Sequence, residues 1–187
     1  AVMTYVAYFW KKFSQGQKAD KAAKRIGNAA KKQKEIEDQK QDYANRAAEL
    51  VRWIGDKTND MSDTDKLNNE VNDLDTALAK NGAFKKFKAS EKPEKQAEKN
   101  DLELLLTSIR SKQKAEGIPP YQPPENISPQ NINQLWDNMT EVQDKYDRVI
   151  RELVNLMRRL DVLLARFRSR SSKIVAWQVD KSKSFKD

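Results

Sequence analysis

Apolar residues recur at alternating steps of three and four in the last third of the chain, and this is its most regular pattern. The positions are Ile132, Leu135, Met139, Val142, Tyr146, Val149, Leu153, Leu156, Leu160, Leu163, Phe167, Arg170, Ile174, Trp177 and Lys181. Two charged residues interrupt an otherwise apolar stripe. Such a repeat predicts a long helix with one buried seam, wound left-handed against its partners. Further apolar residues at Ile150, Val154 and Leu164 widen the stripe, which favours packing against two other helices.

Two earlier segments carry the same spacing and are the predicted partners of this helix. The first series is Ala22, Ile26, Ala29, Gln33, Ile36, Lys40, Tyr43, Ala47, Leu50 and Ile54. The second series is Leu67, Val71, Leu74 and Leu78, followed after a gap by Leu102, Leu106 and Ile109. Pro93 lies in the gap, where the register falls on lysines, so we expect the second helix to kink near this residue.

Turn-forming and proline-rich stretches separate the three series. Residues 55–65 hold several N-cap candidates, and residues 117–129 hold five of the six prolines. We predict helices at about 4–60, 64–116 with a kink near residue 93, and 129–180, joined by short connections that make neighbours antiparallel. The predicted fold is all-α: an elongated left-handed antiparallel three-helix bundle with a long N-terminal neck helix and a C-terminal helix extension.

The residue types present narrow the chemistry of the chain. Charged residues make up 34% and there are only five glycines, a composition typical of long helices. There is no cysteine and no histidine, so disulfides, thiolate metal sites and the commonest general base are excluded. Paired carboxylates occur only in solvated helix or loop sequence. We therefore expect no enzymatic activity and no catalytic, cofactor-binding or metal site.

The sequence does not predict a membrane protein. No apolar run approaches the roughly 18 residues of a membrane span, and the aromatic stretch 1–10 is a poor signal peptide. The chain opens on Ala1 without an initiator methionine, as expected of a segment taken from a longer chain. We expect a cytoplasmic location.

The net charge of +8 is unevenly distributed. Residues 11–34 hold nine Lys or Arg and one Asp, so this helix either binds an acidic partner or presents an ordinary solvated face. Residues 56–75 hold seven acidic residues and residues 158–170 hold five arginines; an up-down-up bundle predicts that these two stretches face each other. Only Phe84 and Phe87 interleave with the lysines of 85–99, so we expect no nucleic acid as a partner.

Several stretches resemble α-actinins and spectrins. Val2-Met-Thr-Tyr-Val-Ala-Tyr-Phe-Trp10 resembles the last helix of the second calponin-homology domain, and Lys21-Ala-Ala-Lys-Arg-Ile26 is similar to the neck. Ala47-Ala-Glu-Leu-Val-Arg-Trp-Ile54 resembles the buried-tryptophan segment of a spectrin repeat. The third helix and the start of a following repeat are matched by Leu135-Trp136, Tyr146, Leu164-Ala-Arg-Phe-Arg168 and Ala176-Trp177.

This resemblance implies a rod segment of a short-rod α-actinin such as those of protists. The implied domains are 1–20, the end of the actin-binding domain and the neck; 21–178, a spectrin repeat; and 179–187, the start of a following repeat or a tail. The implied function is that of a structural spacer and dimerisation segment in an actin cross-linking protein. Its implied partners are a second copy, antiparallel, and actin filaments of the cytoskeleton, held by a domain outside this chain. Calcium-binding EF-hands would also lie outside it.

Three groups of residues follow from the pattern and the resemblance. The predicted core is Trp53, Trp136, Tyr43, Leu50, Ile54, Leu67, Val71, Leu74, Leu102, Ile109, Met139, Tyr146, Leu153, Leu160 and Phe167. Candidate neck-docking residues are Lys24, Arg25, Ile26, Lys31 and Lys32. Trp10 and Trp177 are candidate interdomain contacts. The alternative functions are a regulatory platform whose neck binds a calmodulin-like EF-hand domain or acidic lipid, and a rod repeat of a spectrin-like or dystrophin-like protein.

Overall fold

The computed structural model describes the backbone of residues 2–184, and the side chains of that range except those of 2–5, 8, 15, 17, 183 and 184. The ends of the predicted segments 1–20 and 179–187 therefore fall partly outside the described residues. The elements are α1 (Val2–Ser62), α2 (Thr64–Glu70), α3 (Leu74–Lys86), a π-helical turn (Phe87–Glu91), α4 (Lys92–Ala115), a 3-10 turn (Glu125–Ile127) and α5 (Pro129–Ser184). Every element of the described range is helical, so the all-α prediction is confirmed.

The predicted second helix is interrupted at residues 71–73, where the sequence pattern indicated continuity. Val71 and Asp73 adopt extended backbone conformations. The Asp73 Oδ1 accepts a hydrogen bond from the Thr76 N–H at 2.7 Å, and the Asp63 Oδ1 likewise accepts from the Lys66 N–H at 2.8 Å. Each aspartate is thus an N-cap that starts a new helix. The apolar spacing continues through the break, which is why periodicity alone did not predict it.

A π-helical turn precedes Pro93, at the place where the sequence predicts a kink. The Lys92 N–H donates to the Phe87 carbonyl, which is five residues earlier. Proline has no N–H to continue an α-helical ladder, and the wider turn carries the chain into α4 without ending the helix. The extra residue in this turn also shifts the apolar phase. Phe84 and Phe87, which lie out of register with the heptads, are therefore both buried.

Gly117 ends α4. Its φ of 70° lies in the left-handed region that favours glycine. The Ile118 N–H donates to the Gln113 carbonyl at 2.8 Å, and the Gly117 N–H donates to the Lys114 carbonyl at 3.2 Å. This is the hydrogen-bond pattern of a Schellman motif. It satisfies the last carbonyls of the helix and turns the chain into the proline-rich connection.

The chain divides into two compact units, and the first comprises Ala1–Glu49 and Lys99–Ser128. Its buried apolar side chains are Ile36, Tyr43, Ala47, Leu102, Leu106, Ile109 and Ile127. The Tyr43 hydroxyl donates to the Ile127 carbonyl at 3.0 Å, and its ring meets the edge of Tyr121 at 6.2 Å. The buried Gln113 accepts the Tyr121 N–H at 2.6 Å. These contacts fix the proline-rich connection on the helices of this unit.

The second unit comprises Leu50–Glu98 and Pro129–Asp187. Its buried apolar side chains are Leu50, Ile54, Met61, Leu67, Val71, Ala77, Phe84, Phe87, Ile132, Trp136, Met139, Ile150 and Val154. Among the described side chains of α5, Val154 is the last that is buried, and the helix continues beyond it to Ser184.

The structure sorts the predicted core residues into three classes. The buried ones are Tyr43, Leu50, Ile54, Leu67, Val71, Leu102, Ile109, Trp136 and Met139. The half-buried ones are Trp53, Leu74, Tyr146 and Leu153. Leu160 and Phe167 are 42% and 68% exposed, so their assignment to the core of this chain is wrong. Both lie on the part of α5 beyond Val154, where the described apolar side chains are half-buried or exposed.

Candidate assembly surfaces

An apolar face is exposed near the start of α1. Its members are Val6, Phe9, Trp10 and Phe13, and Trp10 is 77% exposed. The spacing of three and four residues places all four side chains on one side of the helix. We call this set the N-terminal apolar face. Because solvated monomers rarely display contiguous aromatic patches of this kind, the face has the character of a contact surface.

The candidate docking residues of the neck lie farther along α1. Lys24, Arg25, Ile26, Lys31 and Lys32 are all exposed, and the apolar Ile26 is 70% exposed. Lys32 differs from the others because its Nζ lies 2.6 Å from the Glu116 Oε1. Within the described residues, Lys24, Arg25 and Lys31 make no ion pair. Those three cations therefore remain available to an acidic partner.

The C-terminal part of α5 presents a second apolar surface, which we call the C-terminal stripe. Its members are Leu156, Leu160, Leu163, Phe167, Ile174 and Trp177, and every one is exposed. They continue the heptad spacing of the buried half of α5. A shallow groove on the same stretch is lined by Arg158, Arg159, Val162, Leu163 and Arg166. Apolar residues of the same register are buried in one half of the helix, as at Ile132 and Met139, and exposed in the other.

The predicted facing of the acidic stretch 56–75 and the arginines of 158–170 is not observed. Among the described side chains, none of those arginines makes an ion pair. Arg52 instead lies 3.9 Å from Asp56, and Lys80 pairs with Glu70 at 2.5 Å. The reason is that the arginines lie on α5 beyond its last buried residue.

Lysines cover the aromatic core of the second unit. Trp53 and Trp136 stack with ring centroids 6.3 Å apart, and Trp53 lies 6.1 Å from Phe87. The row continues through Phe84, which is 6.2 Å from Phe87 and 5.0 Å from Tyr146. Four ammonium groups lie over these rings at 5.5 to 5.9 Å: Lys57 over Phe87, Lys88 over Phe84, Lys92 over Trp136 and Lys95 over Trp53.

This arrangement, the lysine–aromatic layer, explains why the heptad register falls on Lys88, Lys92 and Lys95. The aliphatic part of a lysine can lie against an apolar surface while its ammonium reaches polar partners. Lys57 pairs with Glu91 at 2.9 Å, and Lys88 pairs with Asp147 at 3.1 Å. The cations also lie at distances from the ring faces that are favourable for cation–π contact. The spacing of these lysines in the heptad register is the sequence signal for this layer.

The amine of Lys92 is enclosed by polar side chains of α5. Its Nζ donates to the Gln143 Oε1 at 2.7 Å and to the Thr140 Oγ1 at 3.1 Å. Both acceptors are neutral and Gln143 is buried. Burial lowers the pKa of Lys92 below its usual value. The sequence did not predict that Gln143 and Gln113 are buried, because glutamine is equally typical of a solvated helix face.

Two ion pairs of the first unit join α1 to the C-terminal end of α4. Lys32 pairs with Glu116, and Lys112 pairs with Glu35 at 3.2 Å. Together they border a cavity of about 190 Å³ beside the buried Ile36. Residues of α1 that precede Lys32 have exposed side chains wherever these are described, apart from the partly exposed Ser14.

Neither a metal centre nor a membrane span emerges from the part of the chain that the structure describes. No group of three or more acidic side chains there is arranged to hold a metal ion. None of the described helices is long and apolar enough to cross a membrane.

The chain is similar to two kinds of curated protein, α-actinins and a spectrin. It is 29% identical over 182 residues to Alpha-actinin A of Dictyostelium discoideum, covering 97% of this chain and 21% of that protein. It is 30% identical over 179 residues to human Alpha-actinin-1, covering 95% and 19%. It is 28% identical over 177 residues to the Spectrin beta chain of Drosophila melanogaster, covering 95% and 8%. The chain thus spans about a fifth of the length of the α-actinins. No protein-family model matches it.

Proposed function

Because this chain belongs to the spectrin-repeat and α-actinin rod family, we propose that it is a structural rod segment of an actin cross-linking protein. The observation that carries the proposal is the pair of exposed apolar surfaces, the N-terminal apolar face and the C-terminal stripe. A helix that is buried along one half and exposed in the same register along the other is suited to joining neighbouring segments. The mechanism is mechanical, with no chemical step.

In this proposal the chain contains three functional segments. Residues 1–20 end the actin-binding domain and form the neck, residues 21–178 form a spectrin repeat, and residues 179–187 begin a following repeat or a tail. Trp10 and Trp177 are the interdomain contacts, since each lies on an exposed apolar surface. Actin filaments are bound by a domain outside this chain, and calcium by EF-hands outside it. The protein acts in the cytoplasm, on the actin cytoskeleton.

Length and stiffness suit α5 to a spacer. It has 56 residues, which at 1.5 Å per residue makes it about 84 Å long. Its proline is at the first helical position, where it does not interrupt the ladder. A helix of this length sets the distance between the domains or repeats that are attached to its two ends.

The C-terminal stripe is the proposed dimerisation surface, with two copies antiparallel. The test compares Leu160→Glu with Leu104→Glu by sedimentation velocity. Leu104 is a matched control because it is an exposed leucine of α4 outside the stripe. We expect the unaltered chain and Leu104→Glu to sediment as dimers and Leu160→Glu as a monomer. A dimer that persists in Leu160→Glu would remove the stripe from the interface.

Orientation can be tested because the chain has no cysteine. Single cysteines are introduced in turn at Leu156, Leu160, Leu163 and Phe167, and each variant is oxidised. In an antiparallel pair only positions near the two-fold axis approach closely enough for a disulfide, whereas a parallel pair brings every like position together. Cross-linking restricted to one or two adjacent positions is expected. Efficient cross-linking at all four would contradict the antiparallel arrangement.

A second candidate function is a docking platform at the neck for a calmodulin-like EF-hand domain or an acidic lipid surface. The observation that favours it is the exposed Ile26 beside the unpaired cations Lys24, Arg25 and Lys31. Changing these three cations to glutamate should abolish binding to a calmodulin-like domain without altering stability. Lys32 is left unchanged because its ion pair with Glu116 contributes to the fold of the first unit. Unchanged binding in the triple variant would eliminate the docking function.

The third alternative is a rod repeat of a spectrin-like or dystrophin-like protein. The similarity to the Spectrin beta chain of Drosophila melanogaster favours it. The sequence of the full-length protein distinguishes the two cases: EF-hands downstream of this segment support the α-actinin type, and a long series of further repeats without them supports the other.

A further inference from the structure

A basic groove in the second unit is not used by the proposed rod function. It has a volume of about 330 Å³ and is lined by Phe84, Lys85, Lys88, Ala89, Asp147 and Arg151. The residues come from α3, the π-helical turn and α5. Phe84 and Ala89 contribute apolar surface, and the remaining lining residues are charged. The groove therefore combines a small apolar floor with an ionic rim.

The rim carries more positive than negative charge. Asp147 is shared between two cations: its Oδ2 lies 3.1 Å from the Lys88 Nζ, and its Oδ1 lies 3.3 Å from the Arg151 Nε. Lys85 makes no ion pair with any side chain that the structure describes. Three cations thus surround a single carboxylate. Lys88 and Arg151 share one carboxylate, and among the described residues Lys85 has none. The groove is therefore electrostatically complementary to a ligand that carries carboxylates.

The π-helical turn leaves one backbone acceptor of Lys88, a residue that lines the groove, without a donor from its own helix. The Lys92 N–H donates to the Phe87 carbonyl, and Pro93 has no N–H to donate. The carbonyl of Lys88 consequently lacks both donors that an α-helical or π-helical ladder would supply. Unpaired backbone carbonyls of this kind are satisfied by water or by a ligand. π-helical turns occur frequently at functional sites.

We propose that this groove binds an acidic peptide segment of a partner protein that carries one apolar side chain. Carboxylates of the peptide pair with Lys85 and Arg151, and its apolar side chain lies against Phe84 and Ala89. A backbone N–H of the peptide donates to the Lys88 carbonyl.

A peptide suits the groove better than a nucleic acid does. Phosphate groups could pair with the cations, but the nucleic-acid backbone offers no N–H for the carbonyl. Single-stranded nucleic acid is generally held by several exposed aromatic rings in succession. Here Phe84 is only 6% exposed, and it is the one aromatic residue that lines the groove.

The experiment measures fluorescence anisotropy of a short fluorescein-labelled peptide made of glutamates with one central phenylalanine. Binding is measured to the unaltered chain, to Lys85→Glu/Arg151→Glu and to the control Lys145→Glu. Lys145 is an exposed lysine of α5 outside the groove. Circular dichroism checks that each variant is folded. We expect the double variant to weaken binding by about ten-fold or more, since two attractions become repulsions, and the control to change it less than two-fold.

Two further comparisons separate the groove from general charge attraction. Replacing the central phenylalanine of the peptide with glycine should weaken binding several-fold if the apolar floor contributes. A single-stranded oligonucleotide of equal charge should bind more weakly than the peptide. The proposal is overturned if the control weakens binding as much as the double variant does, if the glycine peptide binds equally well, or if the oligonucleotide binds more tightly.

Discussion

Replacing Lys92 with methionine tests whether the lysine–aromatic layer stabilises the second unit. Methionine keeps an unbranched stem of similar length but removes the ammonium and its three contacts. The Gln143 Oε1, 2.7 Å from the Lys92 Nζ, then loses its donor inside the unit. Leaving a buried acceptor unsatisfied costs about 1–3 kcal/mol. The lost cation–π contact with Trp136 adds about 0.5–1 kcal/mol.

Burial of the ammonium opposes these losses. Because the pKa of Lys92 is lowered in the folded chain, folding disfavours the charged amine, and removing the charge recovers part of that free energy. We therefore expect Lys92→Met to lower the free energy of unfolding by about 1–2 kcal/mol. For a chain of this size the corresponding fall in Tm is about 3–6 °C.

The assay is urea unfolding followed by circular dichroism, with Lys86→Met as a control. Lys86 is exposed and, among the described residues, pairs with no carboxylate, so its loss should change stability by less than about 0.5 kcal/mol. Adding Gln143→Leu to Lys92→Met should restore part of the loss, because both partners are then apolar. If Lys92→Met is as stable as the unaltered chain, or more so, the layer does not stabilise the fold.

Three further perturbations test other contacts. Burial is the main reason that the pKa of Tyr43 is raised to about 12. The neutral hydroxyl therefore contributes stability that is present below pH 10 and is lost as the pH rises through 12. In urea titrations at alkaline pH, Tyr43→Phe should reduce this loss of stability. Gly117→Ala should lower the free energy of unfolding by about 1 kcal/mol because the φ of Gly117 is 70°. Gly55→Ala, inside α1, should raise it by up to about 1 kcal/mol. Equal effects of the two substitutions would contradict the assignment of Gly117 as the helix cap. Asp73→Ala should lower the Tm by removing the α3 N-cap, and no change in Tm would count against that role.

Periodicity predicted α1 and α5 as long helices because the apolar spacing typical of a helix runs through both, including stretches that no partner covers here. α5 begins at Pro129 as predicted, with Ser128 and a proline at the first helical position. The break before α3 was missed because Val71 and Leu74 keep the apolar spacing on both sides of it. What starts the new helix is the side chain of Asp73, whose preference for an N-cap is visible in the sequence but does not outweigh an unbroken apolar stripe.

The buried positions were harder to predict where the sequence pattern was ambiguous. Leu160 and Phe167 continue the same register as Met139, and only the lengths of the neighbouring helices decide that they are exposed here. Lys92 and Lys95 occupy inward positions because their ammonium groups lie over tryptophan rings. A binary division into polar and apolar residues cannot express that arrangement.

The candidate surfaces were only partly predictable for a related reason. The neck cations and Trp10 stand out in the sequence by charge and by size. The basic groove does not, because Lys85 and Arg151 are far apart in the chain and meet through the packing of α3 on α5. The free carbonyl of Lys88 depends on a π-helical turn, which a proline at position 93 permits but does not dictate.

Sedimentation equilibrium of the unaltered chain tests the central claim most directly. If the exposed C-terminal stripe is a dimerisation surface, the chain should have twice its mass of 21.6 kDa at micromolar concentration. A monomer that persists at concentrations of about 1 mM would contradict the claim and leave the stripe as a junction with a following repeat.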